Sequence, residues 1–203
     1  MPIAQHTVFL PGAAGITSFW APVASQLADI TTPTIVGYPG FGDTPARADV
    51  HGFDDLVRLS EQALSPSPTD VVAQSMGGLI ALLVALRHPG RVRKLVLTAT
   101  SGGLDMRAHR AFDWRANFRA AFPCAPSWFA DTRIDLQSRL HALDLPVLLV
   151  WGDADPISPV SVGKSLEQLL PNAELIVIPG GDHDLARTHA GDVGALVRRF
   201  LAS

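Results

Sequence analysis

The stretch DVVAQSMGGLIALL, residues 70–83, is the most informative part of this chain. Residues Val71–Ala73 are apolar and mostly β-branched, which predicts a strand, and Leu79–Leu83 are apolar helix formers. Ser75 lies between them, with Ala73 two positions before it and Gly77 two positions after it. Small residues at both places predict a tight turn from strand to helix, with the serine raised at its apex and exposed to a substrate.

A serine at such a turn has an ordinary alternative interpretation. It can simply cap the N-terminus of the following helix, with no chemical role. A serine hydroxyl is a weak nucleophile at neutral pH and needs a base, which in turn needs an acid to orient it. The choice between the two interpretations therefore depends on whether the rest of the chain supplies those partners.

Composition limits the class of protein. A chain of 203 residues with 47% hydrophobic residues is long enough for one domain with a substantial core. The net charge of -3, without long charged runs, gives no indication of nucleic-acid binding. Cys124 is the single cysteine, so an internal disulfide and a site built from several cysteines are excluded.

Targeting signals are not apparent in the sequence. The first six residues, MPIAQH, carry no basic region before an apolar run, and no apolar stretch has the length of a membrane span. We therefore expect no signal peptide, no membrane partner and a cytoplasmic location.

Strand and helix patterns alternate along the chain. Apolar runs predict strands, and segments with helical spacing predict helices between them. Continuous apolar strands alternating with helices indicate an α/β fold with a mostly parallel, doubly wound sheet of about six strands, covered by helices on both faces. The predicted strands are His6–Leu10, Pro33–Gly37, the strand before Ser75, Lys94–Thr98, Pro146–Trp151 and Glu174–Ile178. The predicted helices run from Ser18 to about Ala28, Phe53–Leu64, Leu79–His88, Val160–Leu170 and Val193–Leu201.

One segment interrupts this alternation. Residues 101–145 contain no clear strand but hold six of the fourteen aromatic residues, including Trp114, Phe118 and Trp128. Long insertions inside compact domains are usually functional, so we interpret the segment as a small helical lid over an apolar substrate pocket, inserted within a single domain of residues 1–203. The alternative is that these aromatics only attach helices to the sheet.

Chemically useful residues follow three of the predicted strands. Ser75 follows the third, the sequence WGDADP at residues 151–156 follows the fifth, and GGDHD at residues 180–184 follows the sixth. Ligands of parallel sheets bind at the carboxyl ends of strands. A serine, an aspartate and His183 are therefore expected at one edge of the sheet, in that chain order.

This order and the sharp serine turn resemble the α/β-hydrolase fold family over nearly the whole chain. The resemblance implies a catalytic triad of Ser75, Asp155 and His183. The family pattern Gly-x-x-Asp selects Asp155 after Gly152, whereas Asp153 is better placed to bond the backbone of its own loop. Asp105, after the fourth strand, is a more remote choice for the acid.

The resemblance also implies an oxyanion hole. The sequence LPGAAG, residues 10–15, looks like the family's oxyanion loop, although the usual His-Gly start is Pro11-Gly12 here. The backbone amides of Ala13 and Met76 would then stabilise the oxyanion while His183 acts as the base. Together with Trp114, Phe118 and Trp128, these two residues are the expected substrate-binding residues.

Other groups in the sequence receive structural interpretations. Asp182 and Asp184 flank His183, but adjacent residues rarely converge on one ion and no second histidine lies at ligand spacing. The remaining six histidines are interpreted as structural or solvated. The mechanism needs neither a metal nor another cofactor, so we expect none.

The expected function is that of a serine hydrolase acting on a small-molecule acyl substrate. A carboxylesterase for small or medium apolar esters is the first hypothesis. A cofactor-free lyase or a carbon–carbon bond hydrolase is an alternative, because the fold supports many chemistries. A binding protein without catalysis is a further alternative, and the sequence does not determine the oligomeric state.

Overall fold

A computed structural model of the protein describes residues 5–203. Most of the N-terminal segment in which we expect no signal peptide, residues 1–4, therefore lies outside the described residues. Among residues 5–203, no helix combines the length and the apolar character needed to span a bilayer.

The architecture is a six-stranded parallel sheet with the strand order β2-β1-β3-β4-β5-β6. The strands are β1 (Gln5–Leu10), β2 (Thr31–Ile35), β3 (Thr69–Gln74), β4 (Val92–Thr98), β5 (Val147–Gly152) and β6 (Ala173–Ile178). The α-helices are α1 (Ala21–Ser25), α2 (Phe53–Gln62), α3 (Met76–Arg87), α4 (Arg115–Ala121), α5 (Ser127–Asp131), α6 (Val160–Leu169), α7 (Leu185–Thr188) and α8 (Ala190–Ala202). The fold class predicted from the sequence is confirmed, and every strand pair is parallel.

Two apolar clusters lie on opposite faces of the sheet. Alternate residues of β3 show the division, since Val71 packs with one cluster and Val72 with the other. The first cluster takes its helical side chains from α2, α3, α6 and the segment 101–145. The second takes them from α1, α7 and α8. Side chains of a strand point alternately to the two faces, so a sheet covered on both faces requires apolar residues without interruption.

Two element boundaries predicted from the sequence were wrong. The second strand is Thr31–Ile35 rather than Pro33–Gly37, because an edge strand carries polar, exposed residues that an apolar pattern does not detect. Near Ser18, the chain forms a 3-10 turn over Thr17–Trp20 before α1, and no side chain caps that turn.

Smaller differences affect the ends of other elements. The last helix begins at Ala190, three residues before the predicted start, and β4 begins at Val92 rather than at Lys94. The segment 101–145 has no strand and contains α4 and α5 between two 3-10 turns. Its buried side chains pack with the cluster on the face that carries α3, and its residues 121–125 adjoin the loops after β1 and β2.

Candidate active site

Ser75 occupies a strained turn between β3 and α3. Its backbone dihedrals are φ 53° and ψ -116°, which a non-glycine residue adopts at a cost on the order of 1–3 kcal/mol. The Ser75 amide donates to the Thr98 carbonyl at 2.9 Å, and the Thr100 hydroxyl donates to the Ser75 carbonyl at 2.7 Å. A side chain at Gly77 would collide with the Leu10 carbonyl oxygen. The surrounding backbone therefore holds the turn and requires the small residue.

Ser75, His183 and Asp155 form one hydrogen-bonded chain. The Ser75 Oγ lies 3.0 Å from His183 Nε2, and His183 Nδ1 lies 2.8 Å from Asp155 Oδ2. When Nδ1 carries the proton and donates to the carboxylate, the lone pair on Nε2 can accept the serine proton. This is the arrangement that general-base activation of a hydroxyl requires.

Backbone amides fix the Asp155 carboxylate. Its Oδ1 accepts from the amides of Ile157 and Ser158 at 2.8 and 3.1 Å, and Asp155 is only 4% exposed. The Ser158 hydroxyl donates to the Thr100 carbonyl at 2.9 Å and accepts from the Trp151 indole at 3.1 Å. Since the Thr100 hydroxyl also holds the turn at Ser75, buried hydrogen bonds connect the acid loop to the serine turn.

The other two candidate acids lie in different places. Asp153 Oδ1 accepts from the Gly180 amide at 2.6 Å, which ties the loop after β5 to the loop after β6. Asp105 is exposed and accepts from the Arg107 amide at 3.1 Å. Of the three aspartates considered from the sequence, the structure brings Asp155 to His183.

The carboxylates beside His183 have local partners. Asp182 Oδ1 accepts from the Asp184 amide at 3.0 Å and from the Thr188 hydroxyl at 3.1 Å. Asp184 forms an ion pair with Arg187 at 2.6 Å. Within residues 5–203, no group of three or more His, Cys, Asp or Glu side chains is arranged to hold a metal ion.

Two backbone amides flank the serine. Met76 is the first residue of α3, so its amide has no acceptor within the helix. Ala13 follows Gly12, whose Cα faces Ser75 so closely that an added Cβ would lie 3.3 Å from the serine Cβ. The Gly15 amide closes this loop by donating to the Gly12 carbonyl at 2.9 Å. The Gly12 loop and the first turn of α3 therefore adjoin Ser75.

A cavity of about 220 Å³ opens between the Ala13 loop and the segment 101–145. Ala13 and Phe41 line one side, and residues 121–125, which include Phe122 and Cys124, line the other. The residues lining this cavity include no Asp, Glu, Lys, Arg or His. The space next to the proposed oxyanion donor is therefore lined by uncharged residues, which include Ala13 but neither Ser75 nor His183.

Trp114, Phe118 and Trp128 do not line this cavity but pack behind its walls. Phe118 lies 5.1 Å from Phe122 between ring centroids, and Trp128 lies 5.9 Å from Phe41. Trp114 contacts the same cluster, with its ring centroid 5.5 Å from that of Phe118. The enrichment in aromatic residues indicated the segment 101–145. Which of its side chains line the cavity depends on packing, which composition does not show.

The chain matches the alpha/beta hydrolase fold family over residues 6–139 and 125–190. It belongs to this family. The predicted class, an α/β-hydrolase enzyme, is confirmed by that match and by relatives named for esterase and hydrolase activities.

Relatives of known activity differ in the bond that they cleave. The pimeloyl-[acyl-carrier protein] methyl ester esterase of Neisseria meningitidis serogroup C is 29% identical over 213 residues, which cover 82% of this chain and 81% of the relative. The 2-hydroxymuconate semialdehyde hydrolase of Pseudomonas putida is 27% identical over 236 residues, which cover 95% of this chain and 82% of the relative.

Solved structures share the fold. A thermophilic esterase from Thermogutta terrifontis superimposes with a TM-score of 0.78 at 20% identity, covering 98% of this chain and 89% of the esterase. At this identity the similarity supports the α/β-hydrolase fold.

The two aspartates of the loop after β5 are a matched pair for mutation. We predict that Asp155→Asn lowers kcat by about ten-thousandfold, because the amide no longer selects the required histidine tautomer. Asp153→Asn weakens only the contact to Gly180, so its kcat remains within about tenfold of wild type. Steady-state kinetics on a p-nitrophenyl ester, with circular dichroism to verify folding, measure both. The reverse ranking would assign the acid to Asp153.

Proposed function

We propose that the protein is a serine carboxylesterase that cleaves small or medium apolar esters through an acyl-Ser75 intermediate. The observation that supports it most directly is the hydrogen-bonded chain from Ser75 through His183 to Asp155, at a strained turn. An intact arrangement of this kind argues against a protein that only binds ligands. Such a protein would have no use for a buried carboxylate that orients an imidazole.

In the proposed first half-reaction, the Ser75 Oγ attacks the ester carbonyl carbon and its proton moves to His183 Nε2. The amides of Ala13 and Met76 stabilise the resulting oxyanion, each by about 2.7–4 kcal/mol in comparable enzymes. Asp155 stabilises the imidazolium. The bond from carbon to the alcohol oxygen then breaks, and the leaving alcohol takes the proton from His183.

The second half-reaction regenerates the enzyme. Water loses a proton to His183 Nε2 as its oxygen attacks the acyl carbon, and the same amides stabilise the second oxyanion. When the bond between this carbon and Ser75 Oγ breaks, the serine recovers its proton from His183 and the carboxylic acid leaves. No step requires a metal ion or an organic cofactor.

The cavity supports the proposed substrate size. Its volume of about 220 Å³ is smaller than the roughly 300–1,000 Å³ of sites for drug-sized ligands. A lining of aromatic and small residues without charged side chains suits a short hydrocarbon chain. We propose that Trp114, Phe118 and Trp128 act on the substrate by supporting Phe41 and Phe122, which line the cavity.

A carbon–carbon bond hydrolase is the second candidate, favoured by the similarity to the Pseudomonas putida hydrolase over 95% of this chain. The uncharged cavity favours the ester, because that relative's named substrate carries a carboxylate. Comparing kcat/KM for p-nitrophenyl butyrate and for 2-hydroxymuconate semialdehyde distinguishes the two candidates. A higher value for the semialdehyde would replace the esterase proposal.

Ser75→Ala tests the nucleophile. We expect kcat to fall by about a millionfold, as in other triads, and covalent labelling by a fluorophosphonate to disappear. Wild-type protein should be labelled at Ser75, as determined by peptide mass spectrometry. The exposed Ser203, changed to alanine, is the control and should retain full labelling. Hydrolysis by purified Ser75→Ala above a few per cent of wild type would exclude the assignment.

Phe122→Ala and Trp114→Ala separate the cavity wall from its support. Removing Phe122 enlarges the cavity, so the preferred acyl chain of a p-nitrophenyl ester series should become longer. The shift in preference should be gradual, because each methylene changes the free energy of discrimination by no more than about 1–3 kcal/mol. Trp114→Ala should mainly lower the melting temperature. Melting curves and kcat/KM across acetate to decanoate measure both effects, and an unchanged profile for Phe122→Ala would place the acyl chain elsewhere.

Cys124 provides an independent reporter of the same cavity. It is exposed, is the single cysteine of the chain and lines the wall beside Phe122. A hexyl phosphonate attached to Ser75 should slow the reaction of Cys124 with a thiol reagent. The methyl phosphonate adduct is the control and should leave that rate unchanged. Equal rates for the two adducts would contradict an acyl chain in this cavity.

A further inference from the structure

Gln74, the residue before Ser75, has a side chain that reaches the other functional loops. It is the last residue of β3 and is 4% exposed. Its Nε2 donates to the backbone carbonyl of His183 at 3.1 Å. The proton-transfer arrangement uses the imidazole of His183 and leaves this backbone contact without a role.

The other end of the Gln74 amide lies against the loop that carries Ala13. A Cβ at Gly12 would overlap Gln74 Oε1 and would lie 3.1 Å from its amide carbon. The glycine therefore leaves the space that the glutamine amide fills. One buried side chain contacts both the loop that presents the base and the loop that presents an oxyanion donor.

The loop of His183 is fixed mainly from the side of β5. The Gly180 amide donates to Asp153, the Ala154 amide donates to the Gly181 carbonyl at 2.9 Å, and the imidazole bonds Asp155. These contacts hold the imidazole toward the acid. The contact from Gln74 is separate from these, because it comes from β3, the strand that ends at the nucleophile.

We propose that Gln74 is a positioning residue that sets the distance between the His183 imidazole and the Ser75 hydroxyl, while it supports the Gly12 turn of the oxyanion loop. This inference rests on the proposed hydrolytic function. Gln74 touches neither the substrate nor the reacting atoms and acts through the backbone of His183. A buried amide bonded to a backbone carbonyl is suited to this task because it fixes position without adding charge.

The test uses Gln74→Met, which keeps the length of the side chain and removes the donor. Gln74→Glu, which keeps the shape and replaces the donor by an acceptor, is the second variant. Gln26→Met is the control for loss of an amide donor, because Gln26 Nε2 donates to the backbone carbonyls of Pro22 and Ala190 at 3.0 and 2.8 Å in an exposed position, on the sheet face that carries α1 and α8. The second-order rate of Ser75 labelling by a small fluorophosphonate reports on the pair of serine and base without depending on the cavity.

We expect Gln74→Met and Gln74→Glu to label about 10- to 100-fold more slowly than wild type, as small displacements of reacting groups do. The proton NMR signal of the imidazole proton shared by His183 and Asp155 should broaden or disappear in both. Gln26→Met should lower stability less than the Gln74 variants do, because Gln26 is exposed, and should keep the wild-type labelling rate and the NMR signal. This combination distinguishes positioning from a structural role.

Labelling within twofold of wild type in either folded Gln74 variant, with an unchanged imidazole signal, would overturn the inference and leave the proposed function intact. Slow labelling in Gln26→Met as well would also overturn it, because a general loss of stability would then explain the effect. If wild-type protein is not labelled at all, the proposed function itself fails.

Discussion

The positive φ of Ser75 is the constraint on which the site depends, because L-residues adopt it only when the surrounding structure compensates. The compensation comes from neighbouring strand ends: β4 supplies the Thr98 carbonyl, and the Thr100 hydroxyl follows it. Gly77 lets the end of β1 approach the start of α3. The pairing of β1, β3 and β4 therefore brings together the groups that stabilise the turn.

The loops after β5 and β6 are attached to that turn by hydrogen bonds rather than by apolar packing. Ser158 connects the Asp155 carboxylate to Thr100, which in turn holds the serine carbonyl. Such buried bonds have direction as well as strength, and an unpaired partner costs about 1–3 kcal/mol. They fix the angles between acid, base and hydroxyl more narrowly than packing could. The cavity, by contrast, has residues 121–125 of the segment 101–145 as one wall and Ala13 and Phe41 on the other side.

The sequence predicted the parts of the site that local chemistry determines. Small residues around Ser75 are required by the turn itself, and the positions of Asp155 and His183 follow from strand ends and a family resemblance. Parts that depend on three-dimensional packing were not predictable. Gln74 has no motif that indicates a partner 109 residues away. Nothing in the sequence distinguishes Phe122 from the other aromatic residues of its segment. The predicted position of β2 was two residues too far along the chain, because edge strands lack the continuous apolar pattern.

The acyl-Ser75 intermediate is the species that most directly distinguishes the proposed mechanism. Rapid mixing of the enzyme with a p-nitrophenyl ester, followed by acid quench and intact-mass analysis, measures that species. We expect a burst of p-nitrophenol of about one equivalent per enzyme whenever deacylation is slower than acylation. The mass should increase by one acyl group, located at Ser75. Release of p-nitrophenol ahead of the carboxylic acid, with no acyl adduct on Ser75 at any time, would contradict the proposed mechanism.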